Sequence, residues 1–390
     1  MFTVGRRLES APGRTGVLST PHGDIRTPAF IPVGTKATVK AVLPEAMREL
    51  GAQALLANAY HLYLQPGADI VEEAGGLGRF MNWPGPTFTD SGGFQVLSLG
   101  AGFKKTLAMD ATGVTSDDVI APGKDRLAVV DDEGVTFRSH LDGSTHRFTP
   151  EVSMQIQHQL GADVIFAFDE LTTLMNTREY QEKSVARTQA WAERCVAEHR
   201  RLRSTQLLFG VVQGAQHEDL RRRSARDLVS LDLDGYGIGG AIEKENLDQI
   251  LGWVVEELPD DRPRHLLGIG EPDDLFMAVE QGCDTFDCVQ PSRVARGSRV
   301  YTAGGRQNLL VAASRRRFEP IEDGCDCYTC GHYTVAYLHH LFKANEYVAA
   351  TLATIHNQRF IVRLVDDMRD AIESGDFAAM KTEFLGGYSA

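Results

Sequence analysis

The chain has 390 residues, a formal net charge of −13 and 43% hydrophobic residues. These values suit one large α/β barrel or two domains, and the acidic net charge, taken alone, argues against a nucleic-acid partner. No run approaches the ~18 consecutive apolar residues of a membrane span. The N-terminal segment "MFTVGRRLESAPGRTG" lacks the apolar core of a signal peptide, so we expect a cytoplasmic protein without membrane association.

Eight short apolar segments predict the strands of a parallel sheet. Helical segments separate them, and glycine or turn-forming residues bound each one. This alternation predicts an α/β fold, a (β/α)8 TIM barrel, in which functional side chains lie at the carboxyl ends of the strands. The predicted strands are 29–33, 54–58, 87–91, 164–169, 207–213, 235–240, 265–270 and 285–289.

Three segments fall outside this repeat. Residues 11–27 predict an N-terminal hairpin, and residues 100–149 are predicted as an insertion after the third strand. Beyond residue 318 the sequence becomes rich in cysteine and then strongly helical. Within the insertion, "EGVTFRSHLDGSTHRFT" alternates as two antiparallel strands with a turn at Asp142–Gly143. We therefore predict a catalytic barrel domain at 1–318 and a zinc-binding helical subdomain at 319–390, packed on the barrel.

Polar residues recur where the predicted strands end. A lone aspartate there often caps the next helix, so one example would carry little weight. Several together indicate a site, and clustered carboxylates repel one another, so at least one pKa should be raised. The candidates are Asp90, Ser91, Asp169, Gln213, Gly240 and Asp287.

The chemistry of these side chains suggests a ligand. Carboxylate and amide oxygens accept hydrogen bonds, which suits a base rich in N–H donors such as guanine. Phe94 could stack on a flat ring, although packing is the more frequent role of an aromatic residue there. One aspartate could attack an anomeric carbon while another transfers a proton, as in retaining glycosidases.

A basic stretch runs through the acidic chain. No Asp or Glu occurs from Cys288 to Phe318. Such a stretch is expected where a phosphate backbone binds, although a solvated basic surface gives the same pattern. Its arginines are Arg293, Arg296, Arg299, Arg306 and Arg315–Arg317.

The segment "CDCYTC" predicts a structural metal site. Cys325, Cys327 and Cys330 have C-x-C-x2-C spacing, which suits zinc better than a disulfide framework. A tetrahedral site needs a fourth ligand, and we favour His356, which a helix could carry back to the cysteines. The alternative is that the three cysteines are unrelated residues of a loop and bind no metal. The other histidines considered are His332, His339 and His340.

Six motifs, in order, resemble those of the tRNA-guanine transglycosylases. They are "TDSGGFQVLSL", "AFDE", "GVVQG", "GIGG", "FDCVQPSR" and "CDCYTC…HN", and "NAYHLYLQPG" at 58–67 fits as well. The resemblance runs from "TPAFIPVGT" to about residue 370. It implies that guanine at the wobble position of tRNAs with GUN anticodons is exchanged, without ATP, for a 7-deazaguanine, either preQ1 or queuine.

The resemblance also implies roles for individual residues. Asp287 is similar to the nucleophile that bonds to ribose C1′, and Asp90 to the general acid/base. It further implies tRNA contacts through the anticodon loop, one structural zinc ion per chain and a homodimer. The remaining matched positions are Ser91, Phe94, Asp169, Gln213, Gly240 and Glu245 for the base, Arg293 and Arg296 for tRNA, and Cys325, Cys327, Cys330 and His356 for zinc.

Some positions depart from the family pattern. Glu243 adds a charge where a small or apolar residue is usual, Leu171 replaces a small residue, and Glu271 stands where lysine is frequent. The identity of the incoming base therefore stays open, as does the role of the insertion at 100–130. Two alternatives also stay open: base exchange on another nucleic acid, and a non-catalytic partner subunit. The latter would be expected to lack Asp287 or Asp90.

Overall fold

The eight predicted strands form one parallel sheet. The computed structural model describes residues 1–100 and 128–388. Its strands are β1 (Phe2–Arg7), β2 (Arg14–Thr20), β3 (Gly23–Thr27), β4 (Ala29–Pro32), β5 (Leu55–Ala57), β6 (Thr87–Thr89), β7 (Ala128–Asp131), β8 (Gly134–Arg138), β9 (Thr145–Phe148), β10 (Val164–Phe166), β11 (Leu207–Val212), β12 (Gly235–Ile238), β13 (Arg264–Leu266), β14 (Thr285–Cys288), β15 (Arg299–Thr302) and β16 (Gly305–Asn308).

Helices separate these strands as the alternating pattern predicts. They are α1 (Pro44–Glu49), α2 (Ala59–Leu64), α3 (Ala68–Glu73), α4 (Leu77–Phe80), α5 (Gly93–Gly100), α6 (Pro150–Leu160), α7 (Arg178–Arg201), α8 (Glu218–Val229), α9 (Leu247–Val255), α10 (Pro272–Glu280), α11 (Gln290–Arg296), α12 (Tyr328–His332), α13 (Val335–Lys343), α14 (Tyr347–Ser374) and α15 (Phe377–Gly387). Two 3₁₀ helices lie at Lys244–Asn246 and Ala312–Arg316.

The strand order confirms the predicted fold class. The eight strands follow the order β4-β14-β13-β12-β11-β10-β6-β5, and a parallel bridge joins Val33 to Leu56. The sheet and its helices thus form a TIM-like fold. Several strands end earlier than predicted. For example, β10 ends at Phe166, and Asp169 lies in the loop beyond it.

The chain divides into two units. The first comprises Met1, Ala57–Phe80 and Thr87–Leu267. The second comprises Phe2–Leu56, Met81–Pro86 and Gly268–Ala390. The division between a barrel at 1–318 and a subdomain at 319–390 stays a prediction.

The predicted antiparallel segments are present. In the second unit, β2 pairs with β3 as the expected hairpin, and β1 adds a third strand. In the first unit, β8 and β9 pair around Gly143, which adopts φ +76°, and β7 completes that sheet. Residues 101–127 of the predicted insertion lie outside the described residues.

Helix α14 organises the core of the second unit. Its Asn357 side chain accepts a hydrogen bond from Tyr301 N (3.0 Å) and donates to Pro291 O (3.0 Å) and Arg299 O (3.1 Å). One buried residue of α14 therefore fixes α11 and β15 against it. Within the described ranges, no helix combines the length and apolar character that crossing a membrane requires.

Candidate active site and metal centre

Asp90 follows β6 in the first unit and is held by three donors. Its carboxylate accepts hydrogen bonds from Ala59 N (2.8 Å), Gln95 Nε2 (2.7 Å) and the Asn58 side-chain amide. One of these donors, Ala59 N, belongs to the first residue of α2, so Asp90 contacts the start of a helix that precedes it in the chain. The half-buried carboxylate is held in a fixed orientation, as proton transfer to a bound group requires.

Asp169 forms a second polar group in the same unit. Ser91 Oγ donates to Asp169 Oδ1 (3.0 Å), and Gln213 Nε2 donates to Oδ2 (2.7 Å). Burial raises the pKa of Asp169 to about 6, and the two hydrogen bonds act in the opposite direction. One raised carboxylate pKa was predicted, but burial is its main cause, whereas repulsion from Glu170 is a minor one.

Gly240 lies beside this group. Its φ is +93°, a region that favours glycine, and a Cβ there would lie 2.6 Å from Gln213 Oε1. Glycine therefore lets the backbone approach Gln213 closely. Ser91, Asp169 and Gln213 are thus joined by hydrogen bonds in the first unit, and Gly240 lies beside them. All four residues were predicted from strand ends.

Two other residues predicted for base binding lie outside these hydrogen bonds. The ring of Phe94 is 47% exposed, so a flat ligand could reach it. Glu245 is exposed and lies in the 3₁₀ helix at Lys244–Asn246. Glu243, which departs from the family pattern, accepts a hydrogen bond from Asn246 Nδ2 (3.0 Å). A neighbouring side chain therefore stabilises its carboxylate.

Asp287 lies in β14 of the second unit, opposite Ile31 of β4. Its side chain is partly exposed although the flanking residues of the strand are buried. Oδ1 accepts a hydrogen bond from Gly268 N (3.0 Å), in a loop where Gly268 has φ +74°. The carboxylate is thus oriented by backbone while part of its surface remains accessible, as nucleophilic attack requires.

Helix α11 follows Asp287 and carries both predicted tRNA-binding arginines. Arg293 is exposed, while Arg296 is partly buried and donates to Ser292 O (3.0 Å). Burial lowers the pKa of Arg296, and the charge of Arg293 contributes in the same direction. Neither arginine forms an ion pair with a residue that the structure describes.

The other arginines of the basic stretch differ in their exposure and in their ion pairs. Arg306 forms an ion pair with Glu271, which also accepts a hydrogen bond from Tyr301 Oη (3.3 Å). Glu271 therefore neutralises one cation of this stretch. By contrast, Arg299, Arg315 and Arg316 are exposed.

The four predicted metal ligands converge. The ligand atoms of Cys325, Cys327, Cys330 and His356 all lie within 4.8 Å of one another. The three sulfur atoms lie 3.7, 3.6 and 3.3 Å from His356 Nδ1. Zinc bonds of about 2.3 Å to sulfur and 2.0–2.1 Å to nitrogen in a tetrahedron give about 3.5 Å between these atoms. The site could therefore hold a metal ion.

Of the histidines considered, His356 is the one whose ring nitrogen lies with the three sulfur atoms. His356 Nε2 lies 2.7 Å from Tyr301 O and donates to it, which leaves Nδ1 facing the sulfur atoms. His332 Nδ1 lies 2.8 Å from Tyr328 O, and His339 Nδ1 lies 2.7 Å from Leu309 O. Four protein ligands leave no open position, as in structural sites.

The sequence patterns did not indicate every residue that shapes the site. Asn58 and Gln95 hold Asp90 but lie 32 and 5 residues from it in the chain. Asn58 had one available signal, since it is the last residue of a predicted strand. Arg221 had none, because it lies in a run of three arginines that resembles an exposed helical surface.

Comparison with known proteins agrees with the motifs. The family model described as "Queuine tRNA-ribosyltransferase" matches residues 9–390. Proteins of that name are similar to this chain in Pelotomaculum thermopropionicum (45% identity, covering 99% of this chain and 98% of the relative) and Symbiobacterium thermophilum (47%, covering 99% and 90%). A third, from Moorella thermoacetica, is 46% identical over 100% of this chain and 98% of its own length. The chain belongs to the queuine tRNA-ribosyltransferase family.

Proposed function

We propose that the protein is a tRNA-guanine transglycosylase. It exchanges guanine at position 34 of tRNAs with GUN anticodons for a 7-deazaguanine, preQ1 or queuine, in the formation of queuosine. The observation that carries the proposal is the connected set of Ser91, Asp169 and Gln213 beside Gly240. It offers a carboxylate and an amide to the N–H groups and the carbonyl of a guanine-like base.

Asp287 is the nucleophile in this proposal. Its carboxylate oxygen bonds to C1′ of nucleotide 34 while the C1′–N9 bond breaks and the electron pair moves to N9 of the guanine. The partly exposed carboxylate, oriented by Gly268 N, supports this role. The incoming base then bonds to C1′ through N9, and Asp287 is released.

Asp90 is the general acid/base. It gives a proton to N9 of the departing guanine and takes the N9 proton of the incoming base, so the exchange is balanced without ATP. Three hydrogen-bond donors hold its carboxylate in one orientation. Phe94 stacks on the base, and Glu245 belongs to the binding region by family resemblance.

The anticodon loop binds to the basic stretch. Arg293 and Arg296 on α11 directly follow the strand of Asp287, and their charges are not neutralised by carboxylates of the described chain. Guanidinium groups suit phosphate contacts, which position a nucleic acid without reading its sequence. A tRNA substrate also places the reaction in the cytoplasm.

The metal ion is zinc, and its role is structural. Three thiolates and one imidazole form a typical zinc ligand set. His356 connects this centre to β15 through Tyr301 O. When bound, zinc would cross-link the loop at Cys325–Cys330 to α14.

The active form is a homodimer. An aromatic surface patch lies on and between α12 and α13. Most of its rings are exposed, whereas Tyr333, whose ring stacks 5.4 Å from that of Tyr337, is half-buried against the core. Aromatic residues of this kind are enriched at protein interfaces. The patch comprises Tyr328, His332, Tyr333, Tyr337 and His340.

Incorporation of labelled guanine into unmodified tRNA with a GUN anticodon tests the function. We expect incorporation that unlabelled preQ1 or queuine inhibits, and the stronger competitor identifies the natural base. A tRNA without a GUN anticodon and a DNA hairpin of the same loop sequence serve as controls. Incorporation only into the DNA, or none into any substrate by folded and zinc-loaded protein, would contradict the proposal.

A further inference from the structure

Arg221 is a buried cation that the proposed chemistry does not use. Its side chain is 0% exposed, and its guanidinium donates only to backbone carbonyl oxygens in the contacts observed. Nε donates to Ala215 O (2.8 Å), and Nη1 donates to Val212 O (3.1 Å) and Gly239 O (2.6 Å). No carboxylate of the described residues pairs with it. Burying an unpaired charge is costly, so its retention calls for a role.

The remaining nitrogen of Arg221 faces the candidate base site. Arg221 Nη2 and Gln213 Oε1 are both buried without a hydrogen-bond partner among the described residues. They lie 3.2 and 2.6 Å, respectively, from the position that a Cβ on Gly240 would occupy. The glycine therefore leaves space beside a guanidinium nitrogen and an amide oxygen.

The Gln213 amide lies between opposite charges. Its oxygen borders the same space at Gly240 as Arg221 Nη2, while its Nε2 donates to Asp169 Oδ2 (2.7 Å). Turning the amide over would place N–H groups beside the cation and the oxygen against the carboxylate. Both contacts would be repulsive in a buried environment, where charge interactions are strong. Burial lowers the pKa of Arg221 only to about 9, so the guanidinium remains charged at neutral pH.

The orientation of this amide decides which hydrogen bonds a base is offered. Nε2 carries two hydrogens, of which one is donated to Asp169, so the second can be donated to a ligand. A donor suits a purine with a carbonyl oxygen at position 6. The opposite orientation would present the acceptor oxygen and would suit an amino group there.

We infer that Arg221 is a positioning residue that locks the Gln213 amide and so makes the site select 6-oxo over 6-amino purines. The inference rests on the proposed base-exchange function and deepens it. Arg221 acts through Gln213 and the carbonyl of Gly239, which precedes the Gly240 backbone.

The test compares guanine with 2,6-diaminopurine, which has an amino group in place of the oxygen. The KM for guanine and the inhibition constant of 2,6-diaminopurine are measured in the full-length protein with GUN tRNA. In the wild type, we expect the inhibition constant of 2,6-diaminopurine to exceed the KM for guanine by at least about 100-fold. In Arg221→Gln this ratio should fall by about tenfold or more. Arg221→Lys, which keeps the positive charge but lacks the planar guanidinium group, should restore part of the preference for guanine.

The matched control is Arg223→Gln, two residues away on the exposed side of α8. Arg223 is 45% exposed and pairs with Asp227, so its replacement should leave the ratio unchanged. If Arg221→Gln fails to fold, Arg221→Met retains much of the volume and buries no polar group in its place.

The outcomes separate the two proposals. A wild type that binds both purines equally, or folded variants that weaken both to the same degree, would overturn the role of Arg221. Guanine exchange by the wild type would still support the proposed function in either case. A wild type that exchanges no guanine would instead refute the proposed function.

Discussion

At the residue scale, three aspartates of similar sequence context have different surroundings. Asp90 is held by three donors, Asp169 by Ser91 and Gln213, and Asp287 by the backbone of Gly268. These differences suit different tasks, because hydrogen bonds and burial set how readily a carboxylate takes up a proton or attacks. The motif residues predicted that the aspartates matter, but their surroundings depend on residues far away in the chain.

The pKa of Asp169 predicts how base binding depends on pH. Because this pKa is raised to about 6, the carboxylate is ionised above pH 6 and becomes protonated below it. The ionised form accepts hydrogen bonds from the base, so the KM for guanine should be constant above pH 7. Between pH 6 and pH 5 it should rise about fivefold. Initial rates at saturating tRNA measure this.

Asp169→Asn provides the control for this pH profile. Its KM for guanine should be raised and should not vary between pH 5 and pH 7, since the titrating group is absent. A wild-type KM that is flat over the same range would show that the protonation of Asp169 does not govern base binding.

At the element scale, the sequence predicts strands well because their apolar character is local. Asp169 lies beyond β10 because the strand ends at Phe166, a boundary that local periodicity does not define. The hairpin of β15 and β16 was not predicted, since Arg299–Asn308 is polar and rich in glycine. Its stability depends on α14, where Asn357 binds Tyr301 N and Arg299 O.

The cysteine and histidine cluster, which joins the region of α12 to α14, predicts the effect of removing one ligand. Cys327→Ala removes one of four ligands, so bound zinc should fall toward zero and thermal stability should decrease by several degrees. Metal analysis of the purified protein and circular dichroism measure the two effects.

Cys195→Ala is the matched control. Cys195 is also fully buried, in α7, and burial raises the pKa of its thiol to about 12, so it is not expected to bind metal. This variant should lose some stability from the lost packing and retain its zinc. Equal zinc content in the Cys327→Ala protein and the wild type would contradict the assigned ligand set.

At the scale of the whole molecule, charge is distributed unevenly. The chain has a net charge of −13, yet exposed arginines without ion pairs to described residues cluster between Cys288 and Phe318. Composition alone therefore argued against a nucleic-acid partner, while the local pattern is expected equally of a phosphate-binding surface and of a solvated basic one. The fold class and the cluster of three cysteines with His356 were predictable because they depend on periodicity and spacing. The role inferred for Arg221 was not predictable, because it depends on residues that follow three different strands and come together only in the fold.

The aromatic surface patch predicts the oligomeric state. Replacing Tyr328 and Tyr337 together by serine should convert a dimer of about twice 42.8 kDa into a monomer, because these exposed rings would supply apolar contact area. Sedimentation equilibrium measures the mass. Phe80→Ser, which changes an exposed aromatic outside the patch, should leave the dimer intact. A monomeric wild type would contradict the proposal.

The most direct test of the central claim is guanine exchange by Asp287→Ala beside the wild type, with tRNA binding measured on the same proteins. We expect exchange to fall by at least about 10⁴-fold while the Kd for tRNA changes by less than about threefold, because the arginine contacts remain. A thermal melt shows that both proteins are folded. Exchange at the wild-type rate, or an equal loss of exchange and of tRNA binding, would contradict the role of Asp287 as nucleophile.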